Sequence, residues 1–442
     1  MRTAYNILFA IFFVVSAPYY FWRMRRRGSW RAGFQQRFAR YNAGLKHALT
    51  NRHVIWLHAV SVGEVDICTQ LIRALEPRVP NIKIVVSTTT TTGMGDLRRR
   101  LPKHVSKIYY PVDYAKFVMR AMATINPKAI VLVEAEIWPN FLWRAQRLGI
   151  PVFLANARLS KRSFPRYKRF GFLFRPLFAS LIGVGCQNEE DAARLRDVGC
   201  RAKAVQVVGN LKFDAAQSGE RRTLDVAMLL RQVGVPPEAP VLVAGSTHEG
   251  EEIILTEVAR RLRVLFPQLF LVLVPRHFER CREIGKKLQA NGVKFMFRSE
   301  INPDTRLEPG ALDCLLVNTT GELKSFYEPA TVAFVGKSLT AIGGQNPIEP
   351  AALGKAVVCG PNMQNFEDVI RIFLAQDAVV QVRDPESLEQ ALAELLADEV
   401  RRRELGRNAL KVVAENLGAV DRTVEMILAQ LKAREVYVAP RK

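Results

Sequence analysis

The chain has 442 residues, a length that favours two domains over a single core. Apolar residues make up 49% of it and charged residues 24%, which excludes a disordered or fibrous protein. The formal net charge of +22 favours an anionic partner, which could be nucleic acid, a membrane surface or a phosphorylated substrate. The six cysteines form no C-x-x-C pair, so we expect reduced core residues of a cytoplasmic chain.

An apolar run at the amino terminus, residues 4–22, is about long enough to cross a bilayer. Arginines follow this run instead of preceding it, which is the reverse of a cleaved signal peptide. The positive-inside rule then places the downstream chain in the cytoplasm. We therefore expect residues 1–27 to form a single membrane anchor with a basic flank. A helix lying in the membrane interface and a buried core helix are the alternatives.

Strands and helices alternate through the next part of the chain, after a short helix between residues 40 and 48. Short apolar runs closed by turn residues predict the strands 54–60, 82–88, 107–110, 129–134, 152–155, 181–186 and 204–207. Helical spacing separates them, beginning with the helix that starts at Glu64. This alternation predicts a parallel sheet with helices on both faces.

The pattern starts again after a polar stretch that is suited to a linker, residues 216–222. The second series of predicted strands is 239–244, 269–274, 312–317, 332–335, 356–359 and 379–382. Predicted helices include 251–265, 385–396 and 419–432. We expect two Rossmann-like, doubly wound α/β domains, 28–215 and 223–418, with a cleft between them. The last helix, within 419–442, could pack back on the N-terminal domain.

Several charged side chains of the first domain follow strands, at the edge of a sheet where ligands bind. Glu64 begins a helix directly after a strand and the turn Ser61–Gly63. Glu134 and Glu136 emerge from a buried strand and share one face of an extended chain. Alternatively, Glu136 only caps the helix that follows. Lys212 also follows a strand, although a lysine there is most often solvated surface.

The turns of the second domain are suited to anions. Arg276 ends an apolar strand, where an arginine suits a phosphate. Backbone N–H groups of residues 319–323 could hold a phosphate or a nucleoside. Asn346 and Glu349 lie in a Gly-rich turn at a helix start, where a carboxylate often accepts ribose hydroxyls. Alternatively, Asn346 is an N-cap and Glu349 completes a capping-box-like pair.

No motif for a metal or for a serine nucleophile is present. His248-Glu249 does not continue to H-E-x-x-H, the six histidines form no ligand cluster, and no G-x-S-x-G elbow occurs. Gly336-Lys337-Ser338 lacks the first glycine that a P-loop needs. We therefore expect no metal site and no ATPase chemistry.

A stretch without acidic residues, 137–188, interleaves basic and aromatic side chains. Its basic members are Arg158, Lys161, Arg162, Arg166, Lys168, Arg169 and Arg175. This mixture suits nucleic acid or an anionic membrane surface. The apolar run at the amino terminus favours the membrane, so we expect no nucleic-acid partner.

Eight sequence blocks, taken together and in order, closely resemble the 3-deoxy-D-manno-octulosonic acid (Kdo) transferases. The blocks are HAVSVGE at 58–64, TTTTTG at 88–93, EAEIWPN at 134–140, NARLS at 156–160, GNLKFD at 209–214, GSTHEGE at 245–251, PRH at 275–277 and GGQNPIEPAALG at 343–354. The resemblance extends from the apolar run to about Phe366 and fades beyond it.

The resemblance implies a two-domain glycosyltransferase of GT-B type in lipopolysaccharide core biosynthesis. Such an enzyme moves Kdo from CMP-Kdo to the lipid A precursor, a tetraacylated glucosamine disaccharide bisphosphate, at the cytoplasmic face of the inner membrane. The reaction inverts the anomeric centre and needs no metal or other cofactor. Domain 28–215 would bind the acceptor, and domain 223–418 would bind CMP-Kdo.

The resemblance also implies roles for individual residues. Glu64 falls on the general base of the family, and Glu134 and Lys212 fall on positions for transition-state stabilisation. The implied CMP-binding residues are Pro275, Arg276, Gly321, Glu322, Leu323, Asn346, Pro347, Ile348 and Glu349. Since Glu64 lies at a helix N-terminus, we expect it to be ionised.

Overall fold

The computed structural model describes residues 2–26, 31, 33–50, 52–134, 136–160, 163–217 and 224–433. Arg27 of the basic flank, Lys161 and Arg162 of the basic stretch, residues 218–222 of the linker and the tail after residue 433 lie outside these ranges. The chain divides into two compact units, of which unit 1 comprises residues 1–215 with 417–442, and unit 2 comprises residues 216–416.

Unit 1 is built on a seven-stranded sheet. Its strands are β1 (His53–His58), β2 (Ile82–Thr88), β3 (Ser106–Tyr109), β4 (Pro127–Val133), β5 (Val152–Ala157), β6 (Gly183–Cys186) and β7 (Val205–Val207). They lie in the order β3-β2-β1-β4-β5-β6-β7, with parallel pairing throughout. The chain therefore winds outward from β1 in one direction and from β4 in the other.

Helices cover both faces of this sheet, and each face has its own apolar core. The helices are α1 (Arg2–Arg26), α2 (Ala43–Leu49), α3 (Val62–Leu75), α4 (Thr91–Arg100), α5 (Ala115–Ile125), α6 (Pro139–Arg147), α7 (Phe164–Arg169), α8 (Gly171–Ala179), α9 (Glu189–Asp197), α10 (Lys212–Gln217) and α19 (Ala419–Lys432). Successive residues of β1 alternate between the cores, with Trp56 in one and Leu57 in the other. Because both faces are buried, the strands are continuous apolar runs.

The C-terminal helix α19 belongs to unit 1. Its apolar side chains, Val424 and Ile427 among them, join the core that α3 also covers. The carboxylate of Asp214 accepts hydrogen bonds from the backbone N–H groups of Gly418 at 2.7 Å and Val420 at 2.8 Å. These bonds attach the start of α19 to the end of the first chain segment.

Unit 2 repeats the architecture. Its strands are β8 (Val241–Thr247), β9 (Phe270–Pro275), β10 (Phe295–Phe297), β11 (Cys314–Leu316), β12 (Val332–Val335), β13 (Ala356–Cys359) and β14 (Val380–Gln381). They form a parallel sheet in the order β10-β11-β9-β8-β12-β13-β14. Its helices are α11 (Val226–Gln232), α12 (Glu251–Leu262), α13 (Cys281–Ala290), α14 (Leu323–Tyr327), α15 (Ile348–Ala351), α16 (Glu367–Ala375), α17 (Pro385–Ala397) and α18 (Glu399–Glu415).

The expected pair of parallel-sheet α/β domains is confirmed. The sequence pattern missed the edge strand β10, which has three half-buried residues, and the helix α18. Most residues of α18 are polar, and only a few side chains such as Leu405 and Val413 are buried. All six cysteines are free and buried, as their apolar surroundings predicted.

The amino-terminal apolar run forms the 25-residue helix α1. Among the described residues, no helix is both long and apolar enough to cross a membrane, so the expected single span is not supported. Two polar side chains in the first turns of α1 make hydrogen bonds to other parts of unit 1. The Tyr5 hydroxyl donates to Asp113 at 2.9 Å, and the Asn6 side chain accepts from Asn140 at 2.9 Å.

Candidate active site

Two acidic side chains of unit 1 lie where the winding of the sheet reverses direction. Glu64 is in the first turn of α3, directly after β1, and Glu134 directly follows the adjacent strand β4. Ligands of doubly wound sheets bind at this point, outside the carboxyl ends of the strands. The topology thus brings together two residues that are 70 positions apart in sequence.

Glu64 is held by the backbone of its own turn. Its carboxylate accepts hydrogen bonds from the N–H groups of Val60 at 2.7 Å and Ser61 at 3.3 Å. The Ser61 hydroxyl in turn accepts from the Glu64 N–H at 3.3 Å, which completes a capping box. This arrangement fixes the carboxylate close to the strand end.

Burial controls the protonation of Glu64, whose side chain is only 7% exposed. Desolvation, together with the nearby negative charge of Glu134, raises the pKa of Glu64 to about 7. The hydrogen bond from the Val60 N–H lowers the pKa but does not cancel this rise. The helix N-terminus therefore does not keep Glu64 fully ionised, because at a pKa of about 7 roughly half of the carboxylates are protonated at neutral pH. A carboxylate with this pKa can accept a proton near neutral pH.

Glu134 leaves β4 in an unusual backbone conformation, and Glu136 follows two residues later. Glu134 has φ of 58°, which is rare for a residue other than glycine, and its N–H donates to the Ala155 carbonyl at 2.9 Å. The Glu136 carboxylate accepts from the Trp138 indole N–H at 3.0 Å. Burial raises the pKa of Glu136, and the charge of Glu134 adds to this effect.

Glu136 does not cap the following helix α6, so that alternative was wrong. The N-cap position is Trp138, whose side chain makes no capping hydrogen bond. The N–H groups of Asn140 and Phe141 donate to the carboxylate of Asp113 instead, at 3.0 and 2.9 Å. Asp113 comes from the loop after β3, and nothing in the local sequence pattern indicated this role.

Lys212 begins α10, and a chain of amide side chains holds the turn before it. The Asn156 side-chain oxygen accepts from the Leu211 N–H at 3.0 Å, and the Asn210 side-chain oxygen accepts from the Lys212 N–H at 3.0 Å. The amide of Gln187 links the two, because it accepts from Asn210 at 3.1 Å and donates to the Asn156 carbonyl at 3.2 Å. The end of β5, beside Glu134, is thereby connected to Lys212.

Two buried rings, those of His58 and Tyr110, lie next to each other near Glu136. The His58 ring stacks on Tyr110 at a centroid distance of 4.0 Å, and its Nδ1 lies 2.9 Å from the Ser87 hydroxyl. Burial lowers the pKa of His58 to about 3, so the ring is neutral. Sequence reasoning missed these residues, although a histidine at the end of an otherwise apolar strand could have indicated them.

Unit 2 also has its sheet reversal at two adjacent strands, β8 and β12, and one buried carboxylate joins the loops after them. Glu251 accepts hydrogen bonds from four backbone N–H groups, which belong to His248, Lys337, Ser338 and Leu339, at 2.7 to 2.9 Å. Sequence reasoning placed this glutamate at the start of a predicted helix and at the end of the block 245–251, without assigning it a role. Its structural effect is to fix the shape of both loops.

Arg276 directly follows β9 and is exposed, so that an anion from solvent can reach its guanidinium group. Its N–H donates to the Thr247 carbonyl at 3.1 Å, which joins it to the loop after β8. Nearby, Arg280 pairs with the buried carboxylate of Glu252 at 3.0 Å. Pro275 is the last residue of β9, so the turn that carries Arg276 lies between this strand and the Arg280–Glu252 ion pair.

The turn before α14 contains Gly321, Glu322 and Leu323. Gly321 has φ of 81°, a conformation that favours glycine. The Glu322 carboxylate accepts from the Thr319 hydroxyl at 2.6 Å and lies 3.3 Å from the Arg298 guanidinium. Its charge is therefore compensated within unit 2, and the carboxylate shapes this turn.

The Gly-rich turn leads to the short helix α15. Gly344 has φ of 69°, and a Cβ there would lie 2.4 Å from the Met363 sulfur, so only glycine fits. The N-cap of α15 is Pro347, not Asn346 as the alternative had it. Asn346 still orients the turn, because it accepts from the Ile348 N–H at 3.1 Å and donates to the Glu349 carboxylate at 3.2 Å.

Within the described ranges, no group of three or more His, Cys, Asp or Glu side chains could hold a metal ion.

Two doubly wound domains with parallel sheets define a protein with the GT-B type of fold. A solved structure with this fold is the UDP-GlcNAc 2-epimerase of Neisseria meningitidis bound to UDP-GlcNAc. The TM-score is 0.58 at 14% identity, over 85% of this chain and 100% of that one. At this identity, the likeness shows the fold alone.

Sequence relatives identify the family. The family model described as 3-deoxy-D-manno-octulosonic-acid transferase (kdotransferase) matches residues 32–215. The 3-deoxy-D-manno-octulosonic acid transferase of Bordetella pertussis is 33% identical over 92% of this chain and 94% of its own length. The Haemophilus influenzae enzyme of the same name is 31% identical over 86% and 87%. The chain therefore belongs to the Kdo transferase family and is a Kdo glycosyltransferase.

Proposed function

We propose that this enzyme transfers Kdo from CMP-Kdo to the lipid A precursor, with inversion at the anomeric carbon and without a metal, in lipopolysaccharide synthesis. Membership of the family supports the transferred sugar. The pKa of about 7 for Glu64, in a carboxylate held at the sheet reversal of unit 1, is the observation that carries the mechanism.

Glu64 is the proposed general base. The acceptor is a primary sugar hydroxyl, which is a poor nucleophile until its proton is removed. The proton passes to the Glu64 carboxylate while the hydroxyl oxygen bonds to the anomeric carbon of Kdo. The bond from that carbon to the phosphate oxygen of CMP breaks, and its electrons leave with CMP. Attack from the face opposite the leaving group inverts the configuration.

Glu134 and Lys212 are the proposed stabilisers of the transition state. Positive charge develops on the anomeric carbon and ring oxygen as the bond to CMP lengthens. A carboxylate at Glu134 favours that charge, and an ammonium group at Lys212 favours the negative charge on Kdo or CMP. The hydrogen-bonded turn supports this role, because it fixes the backbone from which the Lys212 side chain extends.

Unit 2 is the proposed binding site for CMP-Kdo. The exposed Arg276 is suited to the phosphate, and the Gly321 turn offers backbone N–H groups to it. Glu322 and Leu323 shape that turn, while Pro275 supports Arg276. Pro347 and Ile348 bring Asn346 and Glu349 to the ribose and base. A carboxylate such as Glu349 is suited to ribose hydroxyls. Unit 1 is correspondingly the proposed acceptor domain.

We further propose that the enzyme works on the anionic inner membrane, at its cytoplasmic face, with α1 resting on the surface. Large apolar side chains are exposed along this helix: Ile7, Leu8, Ile11, Phe12, Val14, Val15, Tyr19, Phe21 and Trp22. Phe170 and Phe172 are also exposed, beside basic residues such as Arg169. Apolar rings flanked by arginine suit the headgroup region of an anionic bilayer, where a lipid acceptor would be found.

Product analysis tests the proposal. The purified enzyme is incubated with CMP-Kdo and the lipid A precursor, and mass spectrometry then measures the mass added to the acceptor. We expect whole Kdo units on the acceptor and free CMP as the second product. The Glu64→Gln variant should bind CMP-Kdo normally but lose at least about a thousandfold in kcat. Transfer by this variant at a rate near wild type would refute the base assignment.

A further inference from the structure

The first turns of α1 contact the start of α6, the helix that follows Glu136 and Trp138. Asp113 lies at this contact and is 2% exposed. Its Oδ2 accepts from the Tyr5 hydroxyl at 2.9 Å and from the Asn140 N–H at 3.0 Å. Its Oδ1 accepts from the Phe141 N–H at 2.9 Å. A single buried carboxylate therefore joins two helices.

Asp113 replaces the missing N-cap side chain of α6. The first N–H groups of a helix have no partner within it, and Trp138 at the N-cap offers no acceptor. Burial raises the pKa of Asp113 to about 7, while the hydrogen bonds from Asn140, Tyr5 and Phe141 oppose that rise. The Tyr5 hydroxyl thus contributes to keeping the capping carboxylate in its accepting, ionised form.

A continuous path of contacts leads from α1 to the acidic residues. Asp113 fixes the start of α6, Trp138 is the N-cap residue directly before that helix, and the Trp138 indole N–H donates to the Glu136 carboxylate at 3.0 Å. The charges of Glu136 and Glu134 both act on the pKa of Glu64. A displacement of the α6 start would therefore change the surroundings of the proposed base.

The first turns of α1 contact the rest of unit 1 through Arg2, Tyr5 and Asn6, which are not among the exposed apolar side chains of the helix. Asn6 accepts from the Asn140 side chain at 2.9 Å. The Tyr5 ring meets the Trp143 ring edge to face at 5.6 Å, and the Arg2 guanidinium lies 5.4 Å from the centre of the Trp143 ring. By contrast, Phe12 is 60% exposed. The residues that attach the first turns of α1 to the rest of unit 1 are therefore different from the exposed apolar residues that are proposed to rest on the membrane.

We propose that Asp113 is a positioning residue for Kdo transfer, and that Tyr5 couples the docked α1 to the segment carrying Glu136. The amino-terminal helix then contributes to turnover itself, besides bringing the enzyme to its acceptor. The proposal rests on the catalytic roles assigned above to Glu64 and Glu134. It predicts that removal of one hydroxyl from α1 slows the reaction even when the acceptor is dispersed in detergent.

Steady-state kinetics of the full-length enzyme with acceptor in detergent micelles test this coupling. Tyr5→Phe should lower kcat about fivefold to tenfold and leave both KM values within about twofold. This loss is smaller than the full value of a hydrogen bond to a charged group, because the change reaches Glu64 only through Asp113 and the start of α6. Asp113→Asn should lower kcat further. The double variant should be no slower than Asp113→Asn alone, because both changes remove the same interaction.

Phe12→Ser is the matched control on the same helix. It should keep wild-type kcat in micelles but reduce co-sedimentation with vesicles containing phosphatidylglycerol, whereas Tyr5→Phe should sediment like the wild type. Urea unfolding should show that both variants are folded under the assay conditions, with a wild-type midpoint for Phe12→Ser and a slightly lower midpoint for Tyr5→Phe, which lacks one buried hydrogen bond. If Asp113→Asn does not fold, the comparison of these two variants still decides the question.

A wild-type kcat for Tyr5→Phe, or a loss confined to KM, would overturn the coupling. Additive losses in the double variant would overturn the path through Asp113. Glu134→Gln is measured in parallel, so that failure of the catalytic assignment is distinguishable. If Glu134→Gln is slow and Tyr5→Phe is not, only the coupling is refuted. If Glu134→Gln has wild-type kcat, the proposed role of Glu134 is refuted first.

Discussion

The protonation of Glu64 leads to a quantitative prediction about pH. Its pKa is about 7, and the charge of Glu134 is the second cause of the rise, after burial. If transfer needs the ionised carboxylate, kcat should rise with pH through a midpoint at about 7. One pH unit below the midpoint roughly a tenth of the molecules would be active, and one unit above it roughly nine tenths.

Replacing Glu134 by glutamine removes the neighbouring charge and preserves the shape of the side chain. Ionisation of Glu64 then becomes easier, so the midpoint should move to lower pH, by about half a unit to one unit. Such a shift corresponds to roughly 0.7 to 1.4 kcal/mol of lost repulsion. The maximal rate should fall as well, because Glu134 has its own proposed role. The midpoint, and not the height of the profile, is therefore the decisive quantity.

The assay measures kcat at saturating concentrations of both substrates, from about pH 5.5 to about pH 8.5. Asp66→Asn is the matched control, since Asp66 lies on the same helix and pairs with Arg100. It should leave the midpoint at the wild-type value. A midpoint that stays in place or rises in Glu134→Gln would refute the electrostatic link. A wild-type kcat that is independent of pH across the range would refute Glu64 as the base.

Three further predictions concern two residues of unit 2 and the proposed independence from metal. Arg276→Ala should raise the KM for CMP-Kdo about tenfold, because the contact with the phosphate is lost. Arg282→Ala, on the exposed side of α13, is the control and should leave this KM unchanged. Equal KM values for the two variants would contradict the assignment of Arg276. Glu251→Gln should lower the free energy of unfolding, measured by urea titration, by about 3 kcal/mol, because an amide cannot accept hydrogen bonds from four N–H groups. The control Glu249→Gln, at an exposed position, should change the free energy of unfolding by less than about 0.5 kcal/mol. Treatment with EDTA should leave kcat unchanged, and a loss that a divalent cation restores would show dependence on a metal.

Much of the fold was predictable because parallel strands are buried on both faces. Their apolar runs stand out in the sequence, and the predicted bounds of β2, β12 and β13 agree with the structure. The half-buried β10 and the mostly polar α18 lack this signal, since only part of their surface is removed from water. Element type is thus easiest to predict where burial is most complete.

The positions of the acidic residues at the ends of strands were also predictable, because each residue follows a buried strand. The hydrogen-bond partners and the burial of these residues were not predictable. The amino-terminal run shows the same limit, since its apolar composition predicted a helix but not the use of Tyr5 and Asn6 in hydrogen bonds to unit 1. These partners are more than one hundred residues away in sequence.

By itself, the sequence determined the two parallel sheets, the turns that carry Glu64, Glu134 and Arg276, and the resemblance to the Kdo transferases. All of these depend on residue types and spacing within a few positions along the chain. Only the tertiary structure decided that Glu64 has a pKa of about 7 and that Asp113 caps α6. Desolvation and hydrogen bonding depend on groups that folding brings together from distant segments, and no local pattern encodes them.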